Sequence, residues 1–291
     1  NLKEPFEGLF TQGMVCHETY KDKNNNWFSP SEVFSNDGKN YFLKNNKKEK
    51  IIVGPTESMS KSKKNTIDPE TIIENYGADA VRLFILSDSP PEKDVQWSNQ
   101  GMNASYKFLQ KLWLLHQKII KKINNKDKNN NSSKVELNEF TNQLINKITN
   151  NLEKFHYNVI IANFYEMYNF LIKAVEKDID PKNLKKNYAN ILCLLIPFIP
   201  HFANECLNEI IKEKNYSWPV LEKKYLVSKF TNIVIQINGK KRDLIKTNMG
   251  ISEEELLKEI KKNDKIKNYI DNHKIIKKVF VPNRLINLII K

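Results

Sequence analysis

The stretch Glu57-Ser58-Met59-Ser60-Lys61-Ser62-Lys63-Lys64-Asn65-Thr66-Ile67-Asp68-Pro69-Glu70 decides how the rest of the chain is read. Its first half puts serines on both sides of a lysine. A triphosphate needs that chemistry: positive charge, with small hydroxyl and backbone donors that can approach its oxygens closely. A loop of this kind can close when the nucleotide is present and open when it leaves. A solvated Ser/Lys-rich linker has the same composition, so the short match alone does not choose between the two. The second half is a helix start, with Asp68 as cap, Pro69 at the first helical position and Glu70 in the first turn. That helix should end at Gly77, and Ala78–Leu86 reads as a second, mostly buried one.

Upstream, residues 21–50 are loop-rich, with a turn signal at Asn36-Asp37-Gly38 and strand-like pieces at Tyr41-Phe42-Leu43 and Ile51-Ile52-Val53. Downstream, Met102, Tyr106, Leu109, Trp113, His116 and Ile120 recur at threes and fours, one face of a helix. Similar stripes cross Phe140–Leu152, Val159–Val175 and Leu184–Ile211, and Pro197 and Pro200 should kink or split the last. The polar tract Lys121–Lys134 reads as an exposed loop between antiparallel helices of a bundle. From about residue 230 the period changes to two. Ile233, Ile235 and Ile237 lead into Asn238-Gly239, a strong hairpin signal, with Lys240–Thr247 as the return strand. Ser252 and Glu255 form a capping box for a helix holding Leu256, Leu257 and Ile260. Ile275–Val281 and Leu285–Ile290 complete a small α+β unit.

A chain of 291 residues accommodates two or three domains, and 40% hydrophobic residues suits a folded, soluble protein. The apolar run Ile191–Pro200 is too short to span a bilayer, and no signal peptide opens the chain. The start at Asn1 rather than Met points to a truncated reading frame. Cys16, Cys193 and Cys206 have no metal-binding spacing, which favours a reducing, cytoplasmic setting and argues against a zinc cluster. The net charge of +13 has two sources in competition. Lysines can track a phosphate backbone, but all but three of the 47 basic residues are lysine, and runs such as Asn124–Asn131 look like codon bias in an A+T-rich genome.

Context resolves the loop. Ser58–Ser62 resembles the Lys-Met-Ser-Lys-Ser loop of the first class of aminoacyl-tRNA synthetases, followed in order by Asn65–Glu70 and Tyr76-Gly77-Ala78-Asp79-Ala80-Val81-Arg82-Leu83-Phe84. Gly8–Val15 looks like the strand that leads to this loop in leucyl-tRNA synthetases, and Ser89–Trp97 like their junction into a helical domain. Pro197–Phe202, Val234–Lys240 and Val281–Leu288 are similar to later parts of the bacterial leucyl enzymes. The resemblance covers essentially the whole chain and implies a C-terminal portion of such an enzyme. It implies three parts: the end of a Rossmann-like nucleotide-binding catalytic domain (1–96), an anticodon-binding helical bundle (97–225) and a small α+β C-terminal tRNA-binding domain (230–291).

The implied activity joins leucine to its tRNA through leucyl-adenylate, with ATP, its magnesium and leucine tRNA as ligands and partners and no membrane role. Ser58, Met59, Ser60, Lys61 and Ser62 would form the ATP loop, with Lys61 as the catalytic charge. Ser58 stands where the family has its first lysine, so Lys63 or Lys64 would supply any second phosphate contact. Nothing resembles the His-Ile-Gly-His signature, the leucine pocket or the editing domain, so this chain alone should not activate leucine. A non-catalytic tRNA-binding module, or one half of a split synthetase, is the other reading. Lys240, Lys241 and Arg242, just past the hairpin turn, are candidate phosphate contacts or simply a solvated strand end. Cys16-His17-Glu18 lacks spaced partners for a metal or nucleophilic site. His201 reads as a capping or packing histidine, and Trp97 and Trp113 as part of the bundle or its joint, with Trp97 able to stack on a base if exposed.

Overall fold

The strand β1 (Val15–Lys21), with four of its residues buried, lies between β2 (Trp27–Phe28) and β5 (Lys50–Ser58) in a small sheet completed by β3 (Val33–Ser35) and β4 (Tyr41–Leu43), in the order β2-β1-β5-β4-β3. The structure is a computed structural model describing residues 4–47, 49–125, 134–211, 216–226, 230–271 and 273–291. It has two compact units, Asn1–Leu221 and Glu222–Lys291. Tyr20, Val33 and Ile51, backed by Phe28, Tyr41, Leu43 and Val53, form the apolar side of the sheet. Residues 8–14, expected as a strand, carry no regular structure, and the strand begins at Val15. The reason is a close approach: the Gly13 amide donates to the Pro91 carbonyl at 2.8 Å, and a Cβ on Gly13 would run into the Lys93 backbone.

Two short helices follow, α1 (Pro69–Tyr76) and α2 (Ala78–Ser87). The Asp68 carboxylate accepts from the Glu70 and Thr71 amides at 3.3 Å, and Gly77 at φ +80° ends the first helix as its sequence promised. After β6 (Val95–Gln96), which pairs parallel to β1, come α3 (Asn99–Asn124), α4 (Lys134–Glu153), α5 (Tyr157–Glu176), α6 (Pro181–Leu195) and α7 (Pro200–Ile210). The chain breaks between α6 and α7 at Pro197 and Pro200, with Phe198 and Ile199 buried in the gap. The expected Lys121–Lys134 loop falls mostly on residues 126–133, outside the described residues.

The stripe read along α3 needs a correction. Met102 and His116 are buried, but Trp113 is 39% exposed and Tyr106, Leu109 and Ile120 are half-buried, whereas Phe108, Leu112, Leu115 and Ile119 are all buried. This helix serves two cores at once. Met102, with Tyr106 and Leu109 at its edge, packs with Ala80, Phe84 and Val95, while Phe108 to Ile119 face the bundle formed with Ile148, Phe164, Leu171, Leu192 and Leu207. A single-face pattern cannot register that double duty.

Two polar groups tie the helices together. Asp79 on α2, 6% exposed, accepts from the backbone N–H of Phe202 at 2.8 Å and so caps the first turn of α7. It also accepts from Arg82 Nη1 at 2.9 Å, and the exposed His201 ring stands 3.6 Å away. His116 is fully buried, with Nδ1 3.1 Å from the Tyr188 hydroxyl on α6 and Nε2 3.2 Å from Glu209 on α7.

In the second unit, β7 (Phe230–Ile237), β8 (Lys240–Asn248), α8 (Glu253–Ile260), α9 (Asp264–Asp271), β9 (Ile275–Val281) and β10 (Leu285–Ile290) give the strand order β8-β7-β10-β9. The β7–β10 pair is parallel and the outer pairs antiparallel. Ile233, Ile235, Ile237, Ile286 and Leu288 bury one face of the sheet against Leu256, Ile260 and Ile266. Asn238 (φ 49°) and Gly239 (φ +78°) make the tight turn, where only residues tolerant of positive φ fit. The Ser252–Glu255 capping box forms as read.

Burial pushes the His116 imidazole below its ordinary value, with Glu209 opposing. The folded ring therefore binds a proton less readily than the unfolded one. Its stabilising contribution is full above the ordinary value of 6.5 and is lost as pH falls through it. Thermal stability should fall as pH drops below 6.5 towards the lowered value of the folded ring. His116→Gln should cost about 1–3 kcal/mol at neutral pH by stranding Tyr188 and Glu209, and should flatten the pH dependence. A pH slope unchanged by the substitution would contradict this role.

Candidate functional site

The serine–lysine loop hangs between the end of β5, where Ser58 pairs with Cys16 of β1, and the Asp68 cap. Met59 continues the ladder by one bond, donating to the Val15 carbonyl at 3.2 Å. The loop then turns on itself. The Lys64 amide donates to the Lys61 carbonyl at 3.3 Å, and Lys64 takes φ 53°.

Asn65 holds the turn closed. Its side chain is wholly buried. Its Oδ1 accepts from the Ser60 amide at 2.8 Å, and its Nδ2 lies 3.3 Å from the carbonyls of His17 and Glu57 and 3.4 Å from that of Ser58. Two amide hydrogens shared among three carbonyls pin the loop's exit to its entry strand and to β1. The sequence signals this only as an asparagine two positions past a serine-lysine pair, and the reading of the loop passed over it.

Above this clamp the side chains separate into engaged and free. Ser60 Oγ lies 3.3 Å from Ser62 Oγ and accepts from the Lys63 amide at 3.3 Å. The Lys63 ammonium is paired with Glu57. The expectation that Lys63 would stand in for the lysine missing at Ser58 thus meets a competitor already in place. Lys64 lies near Glu32, whose carboxyl is held below its usual range by the Ser29 amide and hydroxyl, with Lys64 adding to the effect. Lys61 and Ser62 are exposed, and Lys61 makes no ion pair among the described residues. With Lys63 paired, the loop offers the Lys61 ammonium beside two hydroxyls, and Lys64, near Glu32, is likewise exposed without an ion pair among the described residues. At its far end the Thr71 hydroxyl and amide hold the Asp68 carboxyl below its usual range.

The neighbouring residues singled out earlier are structural. Cys16 and His17 are buried on β1, and the His17 ring sits 2.9 Å from the Glu18 carbonyl. Burial, with the charge of Glu18, pushes the Tyr20 hydroxyl well above its ordinary value. These residues border an open polar cleft of about 530 Å³ that reaches Asp88, Gln96 and Asn99. Trp97 is half-buried, edge-on to Phe84 at 5.2 Å, in the joint between β6 and α3, so it is not a free stacking platform. Among the described residues no cluster of His, Cys, Asp and Glu side chains could hold a metal ion.

In the second unit, Lys240, Lys241 and Arg242 are exposed at the start of β8. Asn238 fixes the turn before them: its Nδ2 donates to the Ile290 carbonyl at 3.2 Å, and its Oδ1 accepts from the Ile290 amide at 2.9 Å. The Arg242 guanidinium lies 4.8 Å over the Tyr269 ring, leaving the two lysines as the freer charges.

Comparison with known proteins places these features in a family. Residues 134–261 match the anticodon-binding domain of tRNA ligases, and residues 49–98 match the class I tRNA synthetases for isoleucine, leucine, methionine and valine. Leucine–tRNA ligases align with the whole chain: that of Rickettsia typhi at 40% identity, that of Orientia tsutsugamushi at 39% and that of Wolbachia pipientis wMel at 38%. The chain spans 33–35% of the length of these relatives. A solved ternary complex of an Agrobacterium radiobacter K84 leucyl-tRNA synthetase with tRNA and LeuAMS shares the fold, with a TM-score of 0.61 at 24% identity over 81% of this chain and 31% of that one.

The clamp makes a direct prediction. Asn65→Ala should cost about 1–3 kcal/mol, because the Ser60 amide and three carbonyls lose their buried partner. Tryptic cleavage at Lys61 and Lys63 should accelerate well before global unfolding. Asn65→Asp, which turns a carboxylate toward three carbonyls, should be worse. Unchanged proteolysis in Asn65→Ala would show that the loop is held by other contacts.

Proposed function

The chain belongs to the leucine–tRNA ligase family and corresponds to a C-terminal portion of its members, and from that premise we propose that it supplies the ATP loop and tRNA-binding regions of such an enzyme. The observation that carries this reading is Lys61: an unpaired ammonium flanked by Ser60 and Ser62 on a loop whose base is fixed by Asn65. The complete enzyme joins leucine to ATP, forming leucyl-adenylate and releasing pyrophosphate, and then passes the leucyl group to the terminal adenosine of its tRNA. In that first step the Lys61 ammonium stabilises negative charge building on the departing phosphates, while the two hydroxyls and the loop amides set the approach. Such assistance is positioning and electrostatics rather than covalent chemistry. Magnesium accompanies ATP in this chemistry. Among the described residues no cluster of His, Cys, Asp and Glu forms a ligand set for it.

In this assignment residues 1–96 close a Rossmann-like catalytic domain, 97–225 form the anticodon-binding bundle along the anticodon stem, and 230–291 reach the tRNA elbow. Met59 and Ser58 belong to the loop as spacers. Ser58 carries no charge, and Lys63 is held by Glu57, so Lys61 bears the main phosphate contact, with Lys64 the lysine left to supply a second.

Leucine-dependent ATP–pyrophosphate exchange tests the loop. The 291-residue chain by itself should show none. In a full-length enzyme carrying this segment, Lys61→Ala should lower the exchange rate by about two to three powers of ten, and Ser58→Ala far less. Equal losses at both positions would remove Lys61 from its role. Exchange by the chain alone would overturn the division of labour.

The terminal hairpin has its own test. Neutralising Lys240, Lys241 and Arg242 together should weaken tRNA binding and reduce the log–log salt slope by about one unit per lost phosphate contact. Selectivity among tRNAs should barely change. If neutralising an equal number of lysines within residues 121–134 flattens the slope as much, the charge acts diffusely and the hairpin has no special part.

A further inference from the structure

We propose that the β3–β4 hairpin is a docking site for unpaired nucleotides of the tRNA; this rests on the reading above that the chain binds tRNA. The hairpin splits its side chains by the pleat. Val33, Tyr41 and Leu43 turn toward Tyr20 and Ile51 and complete the apolar side of the sheet. Phe34 and Phe42 are half-buried cross-strand partners on the opposite face, outside that apolar cluster, and their rings are tilted 38° apart with centroids 6.0 Å from each other. Burial of the core does not require this second aromatic pair. Beside it lies an open cleft of about 480 Å³ lined by Phe34, Asn36, Phe42, Lys44 and Lys47, within the size range of ligand sites, about 300–1,000 Å³.

The charges around the cleft are sorted by sign. Lys44 and Lys47 sit on a tight turn fixed by backbone bonds from Leu43 to Glu49 (3.3 Å) and from Glu49 to Asn46 (3.0 Å). Both are exposed, and neither has an ion-pair partner among the described residues. The nearby carboxylates are hydrogen-bonded by neutral donors and keep their negative charge. Asp37 accepts from the Lys39 and Asn40 amides at 2.9 and 2.8 Å, which hold it well below the usual carboxylate range, and Glu32 accepts from Ser29. Ring faces that can stack on bases, an amide that can read an edge, and two free ammoniums at phosphate reach are the combination that grips single-stranded nucleic acid. A duplex offers its phosphates but keeps its base faces hidden. The hairpin joins β5 at Lys50, the end of that strand opposite to the ATP loop at Ser58.

The test uses the 291-residue chain and leucine tRNA, with affinity read by fluorescence anisotropy and contacts by photocrosslinking from 4-thiouridine placed in unpaired positions of the RNA. The Phe34→Ala/Phe42→Ala double variant should bind about tenfold or more weakly, the scale of one or two lost base stacks, and should lose its crosslinks. The Phe34→Tyr/Phe42→Tyr variant keeps both ring faces and should bind as the parent does, which separates stacking from loss of fold. A short single-stranded oligonucleotide should compete for the crosslinks and a blunt duplex should not. Parent-like affinity and crosslinks in the alanine variant, or equal competition by the duplex, overturn this inference and leave the tRNA reading standing. Failure of the parent chain to bind tRNA at all overturns both.

Discussion

The side-chain amide of Asn65 joins three backbone segments that would otherwise be independent: the β1 strand at His17, the end of β5 at Glu57 and Ser58, and the loop itself at Ser60. It is fully buried, and a buried amide is costly unless its bonds are made. The loop can therefore keep one closed base while its tip stays in solvent. The Glu57–Lys63 pair fixes one side of that tip and so decides which lysine is left over. With both partners still partly open to solvent, that pair adds little stability. Its effect is on the direction of charge, removing Lys63 from the free set and leaving Lys61 without an ion pair among the described residues.

The helical part depends on polar contacts of a similar kind. Asp79 supplies the missing acceptor at the start of α7, which Pro200 opens without an amide of its own to be satisfied. It thereby joins α2, the second helix after the loop, to the last helix of the bundle. His116 does the same between α3, α6 and α7. In both places a polar side chain in an apolar setting fixes one arrangement of helices that hydrophobic packing alone would leave free to slide.

Much of this was legible in the sequence, and the residues explain why. Caps and tight turns are local: Asp68 with Pro69, Ser252 with Glu255 and Asn238 with Gly239 each state their geometry within four residues, and each forms as read. The prolines between α6 and α7 are local in the same sense. The misses involve partners distant in the chain. Gly13 meets Lys93, a contact that no window around Gly8–Val15 reveals, so a strand was expected where there is none. The α3 stripe was placed in part on half-buried positions because the helix borders two cores. Asn65 and the Lys63–Glu57 pair were hidden because a hydrogen bond or an ion pair across a loop leaves no periodic trace. Lys61, by contrast, stood out from spacing and resemblance together, and the geometry leaves its ammonium free.

That freedom is the central claim, and lysine reactivity measures it most directly. In a full-length enzyme carrying this segment, acetylation rates of individual lysines would be followed by mass spectrometry with and without ATP. The account predicts that ATP slows modification of Lys61 strongly and leaves Lys63, already held by Glu57, nearly unchanged. Protection of Lys63 with Lys61 still fully reactive would contradict it.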